Sequence, residues 1–274
     1  MNLRLAAALL RTSIFGSRTL KTAHVSAIVP ARNEAACIAV VVQSLLDLRD
    51  AAGEPLLYEV VVADNGSSDG TGAIAQALGA VVVNVAEPGY GRACWQACVA
   101  AKGDVLLFVD GDGAADANDA AGLLDALGDG ADLVIGVRAQ PDVGAMSPPQ
   151  RWGNALACAL MRTLWRVPVS DLGPYRAIRK PAFDALQMRD RGFGWTVEMQ
   201  LRAHRIGLRV AERPVSWHAR IAGTSKISGT LRGVVGAGVG ILGMIARLWL
   251  QERRRPATES AAYHAAPANP VHTT

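Results

Sequence analysis

The chain has 274 residues, half of them apolar, with 5% aromatics and a net charge of +4; that is enough for one large core with an appendage and too apolar for a disordered protein. Its four cysteines have no disulfide-framework spacing, and Cys94 and Cys98 lack the further His or Cys pair of a zinc site, so reduced, buried thiols in a cytoplasmic protein are expected. No basic-aromatic pattern or nucleic-acid module is present, which sets nucleic acid aside as a partner.

Residues 1–23 form a basic extension. Five basic residues (Arg4, Arg11, Arg18, Lys21 and Arg32) and no acid precede Glu34. The apolar run Leu5 to Leu10 is too short for a signal-peptide core, so a loosely ordered extension able to touch membrane is expected, with a transit peptide and an interfacial helix as the other readings. From Val25 the pattern alternates. Val25–Val29, Tyr58–Ala63, Ala80–Val85, Val105–Val109 and Leu133–Val137 read as strands. Ala35–Leu48, Gly72–Leu78, Arg92–Lys102 and Asn118–Leu127 read as helices. Strands and helices alternating at this spacing imply right-handed crossovers and an α/β fold with a mostly parallel sheet. A single domain over residues 24–229 is expected, and its ligands should sit at the carboxyl ends of the strands.

Past Gly144 the alternation fades. Pro148 to Arg166 reads as helix, SDLGPYRAIRK as loop then strand, WTVEMQLRAHRIG as an amphipathic helix capped by Gly207, and LRVAERPVSWHARI as one or two short strands. Within residues 230–255, Gly233 to Ala246 is charge-free but too short to span a bilayer, which needs roughly 20 residues. Its five glycines would together cost an exposed helix about 4–5 kcal/mol against alanine, so something must pack on it. Gly236 and Gly240 form a small-xxx-small face, and Trp249 with the arginines after it suits a headgroup interface. The expectation is a membrane-apposed or dimerising helix beside the acceptor site, or else a helix buried against the main domain. Residues 256–274, rich in Ala, Pro, Ser, Thr and His, read as a disordered tail.

The strand ends carry the chemistry. PARNE (Pro30 to Glu34), DNGSSDGT (Asp64 to Thr71), EPGYGRA (Glu87 to Ala93) and DGDG (Asp110 to Gly113) follow the first four strands. Ser68 or Asp69 can cap the next helix, but capping explains neither Asp64 ending a buried strand nor the acid pair. Asp110 and Asp112, two apart, can both reach one point beyond the sheet, where Mg2+ or Mn2+ would remove their repulsion and share substrate phosphates; a solvated turn is the bland alternative. EPGYGRA fails as a dinucleotide fingerprint, because it follows the third strand and Cys94 stands where the third glycine belongs. A tight turn presenting an amide near Gly91, with Arg92, to an anion remains.

Pro30-Ala-Arg-Asn33-Glu34, Asp64 to Thr71, Gly89 to Ala93, Asp110-Gly-Asp112, Asp171 to Arg176, Glu198 and Arg220-Ile-Ala-Gly-Thr-Ser225-Lys226 together resemble the family 2 glycosyltransferases. The branch is the one similar to dolichol-phosphate mannose synthase and bacterial polyprenyl-phosphate glycosyltransferases. The resemblance implies a GT-A type, Rossmann-like fold. It also implies that Pro30, Asn33, Glu34, Asp64 and Asp69 hold the nucleoside, that Asp110 and Asp112 hold the metal on the diphosphate, and that Asp171 faces the acceptor. Arg176, Arg220, Ser225 and Lys226 would grip phosphates. The chain departs from the family pattern at Ala114, often Gln, and in DLGPYR, which is one residue short.

Glycosyl transfer expels a nucleoside diphosphate with added negative charge, which a metal plus Arg and Lys would stabilise. A hydroxyl acceptor needs a general base, whereas a phosphate is already an anion and needs only positioning, a task suited to Arg220 and Lys226 with Asp171 assisting. The leading expectation is a metal-dependent inverting enzyme moving a hexose from a UDP- or GDP-sugar to polyprenyl phosphate, peripheral on the inner face of the cell membrane and open to homo-oligomerisation. The alternatives are transfer to a small soluble acceptor such as a glycerate derivative, a nucleotidyltransferase, and an inactive membrane-bound scaffold. His204 and His218 read as structural.

Overall fold

A computed structural model describes residues 23–222 and 231–253, with the side chains of 231–234 and 252 left aside. The expectations for the N-terminal extension, for Ser225 and Lys226 and for the tail lie outside the described residues.

The described chain runs β1 (Val25–Ala31), α1 (Ile38–Leu46), β2 (Glu59–Asp64), α2 (Thr71–Ala77), β3 (Val81–Asn84), α3 (Tyr90–Ala100), β4 (Val105–Phe108), a 3-10 turn (Ala117–Asp119), α4 (Ala120–Gly128), β5 (Leu133–Val137), α5 (Pro148–Trp165), β6 (Arg176–Arg179), α6 (Lys180–Leu186), α7 (Trp195–Arg205), β7 (Val210–Pro214) and α8 (Leu231–Arg253). The seven strands form one sheet in the order β3-β2-β1-β4-β6-β5-β7. All pairings are parallel except those of β6, which runs antiparallel between β4 and β5. The α/β fold with a mostly parallel sheet is therefore present.

Period-2 alternation sorts the strand side chains onto two faces. Ala27, Val29, Val105 and Leu107 pack with α1 and α4, while Ile28, Leu106 and Phe108 pack with α3, α6 and α7. The near-continuous apolar runs of β1 and β4 are those of strands covered on both sides. A third cluster joins α5, α7 and α8 through Met161, Trp165, Leu201, Met244 and Leu248, so the C-terminal helix packs on the domain along one face.

Element boundaries shift where loops intervene. β1 runs on through Pro30, paired with Ala63, to Ala31. α1 then begins at Ile38 rather than Ala35, after Asn33 takes a left-handed φ of 50°. Helix α7 ends as its sequence implies: Gly207 has φ 75°, with Gly207 N–H donating to the His204 carbonyl and Leu208 N–H to that of Ala203, the paired bonds of a Schellman cap. Because β1, β2, β4 and β5 point the same way, their carboxyl ends, together with the loop entering antiparallel β6, open onto one edge of the sheet.

Candidate active site

A cleft of about 1160 Å³ occupies that edge. Its polar end is lined by Pro30, Arg32, Glu34, Asn65, Tyr90, Asp110, Asp112, Arg138, Arg191 and Arg220. The far end is apolar: Trp152 and Leu156 from α5, Leu172, Phe193, and Ala237, Ile241 and Leu242 from α8.

Asp110 and Asp112 sit together at the floor. The Asp110 carboxyl is pushed up to about 7, chiefly by burial and then by the charge of Asp112. Tyr90 Oη donates to Asp110 Oδ1 at 3.1 Å. Asp112 Oδ1 accepts from Ala114 N–H (3.0 Å), while Oδ2 accepts from Arg220 Nη1 (2.8 Å). Arg220 Nη2 also donates to both oxygens of Glu34, at 2.8 and 2.6 Å. The arginine expected to hold phosphate therefore bridges two carboxylates. A crowded acid pair with a guanidinium already standing on it fits a hard cation with oxygen ligands. Among the described residues no group of three or more His, Cys, Asp or Glu could enclose an ion, so phosphates would have to complete its shell.

The residues expected to hold the nucleoside divide. Pro30 and Glu34 line the cleft, joined there by Asn65, which the sequence reading did not single out; Asn33, Asp64 and Asp69 do not, and build its wall. Asn33 Oδ1 accepts from Ser68 N–H (2.8 Å), and Asn33 N–H donates to Ser67 Oγ (2.9 Å), stitching PARNE to DNGSSDGT. Asp64 Oδ1 accepts from Ser67 N–H at 2.9 Å, and its Oδ2 lies 2.5 Å from where a side chain on Gly72 would begin. The acid ending β2 thus turns back beneath α2, a turn role the sequence reading had set aside. Asp69 takes Thr71 N–H, Thr71 Oγ1 and Ala35 N–H; burial raises its pKa, but these bonds outweigh it and hold the carboxyl below its usual value.

Four further expectations are corrected by where the side chains lie. Asp171 does not face the cleft as a free carboxylate: it is buried and grips Arg138, Oδ1 to Nη2 at 2.5 Å and Oδ2 to both Nε and the backbone N–H at 2.8 Å. Arg176 is only 1% exposed. It donates to the carbonyls of Leu172, Gly173 and Thr196, and burial lowers its pKa to about 10; its short loop folds back onto it, and its guanidinium is not part of the cleft lining. Gly91 N–H donates to the Gly192 carbonyl, and Arg92 pairs with Glu87 at 2.7 Å, outside the cleft. Glu198 is buried, holding the N–H groups of Arg189 and Asp190 and pairing with Arg202, so it fixes the loop that brings Arg191 and Phe193 to the cleft.

Sequence reasoning missed Arg138, which stands one residue beyond β5 at the carboxyl edge, with its guanidinium 5.2 Å from the Trp217 ring centroid. The rule that located the other four strand ends points to this one as well; the residue went unread because it stands alone rather than in a motif.

The family model described as Glycosyl transferase family 2 matches residues 26–186. The chain belongs to that family. Among its family 2 relatives, an uncharacterized glycosyltransferase of Mycobacterium tuberculosis is 40% identical over 185 residues, 67% of this chain and 84% of that protein. The undecaprenyl-phosphate mannosyltransferase of Micrococcus luteus is 31% identical over 231 residues, 79% of this chain and 91% of that protein. The fold is shared with glucosyl-3-phosphoglycerate synthase from Mycobacterium tuberculosis, crystallised with Mn2+, UDP-glucose and phosphoglyceric acid. The match has a TM-score of 0.69 at 23% identity and covers 85% of this chain and 82% of that one. This chain is a glycosyltransferase, and its cleft lies within and beside the family 2 segment.

Proposed function

We propose that this enzyme transfers a hexose, with inversion, from a UDP- or GDP-sugar to polyprenyl phosphate, as a peripheral protein on the cytoplasmic face of the cell membrane. The observation that carries the reading is the two-sided cleft: acids and arginines at the strand ends, continuous with an apolar wall from α5 and α8. A sugar diphosphate suits the first part and a prenyl chain the second. The undecaprenyl-phosphate mannosyltransferase relative adds support.

In this reading Pro30, Glu34 and Asn65 border the nucleoside, while Asp110 and Asp112 hold Mg2+ or Mn2+. The ion would supply positive charge to the departing diphosphate. Arg220 exchanges its carboxylates for that diphosphate. Arg138, its fork fixed by Asp171, orients the acceptor phosphate, whose oxygen attacks the anomeric carbon as the bond to the diphosphate breaks. No side chain has to remove a proton, because the acceptor is already an anion at neutral pH. Fixed cations aimed at developing charge are worth about 10²–10³ in rate each.

The test is a panel of UDP- and GDP-sugars screened for metal-dependent stabilisation of the protein. The donor found is then offered short-chain prenyl phosphate and phosphoglyceric acid in competition. Transfer to the prenyl phosphate is expected. Turnover of phosphoglyceric acid with the lipid phosphate ignored would establish the soluble-acceptor reading instead, and release of pyrophosphate would mean nucleotidyl transfer.

A further inference from the structure

In the GYG of EPGYGRA both glycine amides are already engaged within the protein. Gly89 N–H donates to Asn65 Oδ1 (2.9 Å), Gly91 N–H to the Gly192 carbonyl (3.1 Å) and Arg92 N–H to that of Arg191 (3.0 Å). The glycines serve a different need. A side chain begun at Gly89 would collide with the Arg191 carbonyl oxygen, and one at Gly91 would lie 2.8 Å from the Asp190 carbonyl oxygen and 3.0 Å from the Arg191 carbonyl carbon. These neighbours are backbone and cannot swing aside. The pair therefore lets the loop at residues 190–192 press against the start of α3, and the residue held between them is Tyr90.

Its ring packs on the core cluster formed by α3, α6 and α7, and its hydroxyl reaches Asp110 Oδ1 at 3.1 Å on the cleft floor. Asp110 Oδ2 has no hydrogen-bond partner among the described residues. We propose that Tyr90 is a positioning residue: by donating to Oδ1 it fixes the rotation of the Asp110 carboxylate and leaves Oδ2 directed at the cation. The inference rests on the reading of Asp110 and Asp112 as ligands to a divalent ion. Groups that orient a ligand from behind it typically change metal affinity 10–100-fold when removed. A hydroxyl serving only to fill space would change stability and leave metal affinity alone.

The experiment titrates the full-length protein with Mn2+, with and without UDP, following free Mn2+ by electron paramagnetic resonance. Wild type, Tyr90→Phe, Asp110→Asn, the Tyr90→Phe/Asp110→Asn double variant and Asp112→Asn are compared, with metal-free melting temperatures as a check on folding. Tyr90→Phe should weaken Mn2+ binding about tenfold with its metal-free melting temperature little changed. Adding it to Asp110→Asn should weaken binding no further, because the hydroxyl acts through that carboxylate. Mn2+ affinity within twofold of wild type in Tyr90→Phe, or a full additional loss in the double variant, would overturn the positioning role. Absence of Mn2+ binding by the wild type, with UDP or without, would instead remove the ligand reading itself and this inference with it. Should Tyr90→Phe fail to fold, Tyr90→Trp, which keeps a ring and a donor but alters reach, should also bind Mn2+ more weakly; unchanged affinity there counts against the proposal.

Discussion

Arg220 faces two ways. It neutralises Asp112 and Glu34, so in the proposed reading a cation would have to displace it and the diphosphate would then take it up. Arg220→Gln is therefore expected to have effects of opposite sign, raising the Mn2+ affinity of the donor-free protein about tenfold, or about 1.4 kcal/mol, and weakening nucleotide-sugar binding by a similar factor. Calorimetric titrations of Mn2+ alone and of UDP-sugar with Mn2+ check both, and a same-sign change would show that the arginine does not trade partners. Asp110 adds a pH dependence. Its carboxyl, pushed up to about 7 chiefly by burial, must lose its proton to bind a cation, so Mn2+ affinity should climb by up to about tenfold per pH unit below 7 and level off above it. Metal affinity is a cleaner readout than stability here. Folded Asp110 keeps a proton that the unfolded chain releases near 3.8, so its contribution to stability falls as pH rises from 4 to 7. His204, lowered to about 4 by burial, contributes stability that is present above 6.5 and lost as pH falls toward 4; the two oppose one another over one window. Asp110 and Asp112 were legible in the sequence because like charges at a strand end call for an explanation. The pairing of Asp171 with Arg138 was not, since residues 33 apart carry no local sign of contact.

Elements were more readable than their partners. Strands β1, β2, β4 and β5 and the cap of α7 follow from apolar runs and glycine placement, whereas the antiparallel insertion of β6 between β4 and β5 depends on long-range pairing that no local pattern encodes. The glycines of α8 illustrate the difference. The small-xxx-small face does meet a partner within the chain, since Gly240 stands 3.1 Å from Phe193 Cβ and Gly236 3.9 Å from the same ring, measured from the Cβ each lacks. Gly243 has nothing within 4 Å of that position and lies on the exposed side. Gly243→Ala should therefore recover most of the helix-propensity difference, about 0.8–1 kcal/mol. Gly240→Ala should recover little or destabilise, since its methyl must push Phe193 from the cleft wall. Chemical denaturation of the two variants tests the order; equal gains would mean that α8 does not seat on the Phe193 loop. Asp171→Ala breaks a buried pair and should cost about 3–5 kcal/mol, with Arg138 freed from its fork and transfer lowered alongside.

At the scale of the whole molecule, the cleft and the outer surface share one apolar boundary. Val235, Val239 and Leu242, at 55%, 67% and 41% exposure, follow one another at helical spacing along α8, and Leu242 also lines the cleft. Trp152, 73% exposed on α5, stands in the same cleft wall. The charges around them favour an anionic surface: α5 carries Arg151 and Arg162 and no acid, and α8 carries Arg247 and Arg253 among its described side chains. No helix among the described residues is long and apolar enough to cross a membrane; in the proposed reading this rim is where the protein would touch the bilayer, the acceptor phosphate entering beside it. A Val235→Ser/Val239→Ser variant touches the stripe without altering the cleft lining. Between a third and a half of each valine is already covered, so each change should remove roughly 1–1.5 kcal/mol of burial in lipid, and the pair should lower partition into vesicles containing anionic phospholipid about 30–150-fold. Turnover of a short, water-soluble prenyl phosphate should be unchanged, and transfer to a long-chain acceptor in vesicles should fall with the partition. Vesicle sedimentation and the two transfer assays measure these quantities separately. Undiminished vesicle binding by the variant would place the lipid contact elsewhere, whereas a dimeric wild type and a monomeric variant would assign the stripe to a second copy of the chain.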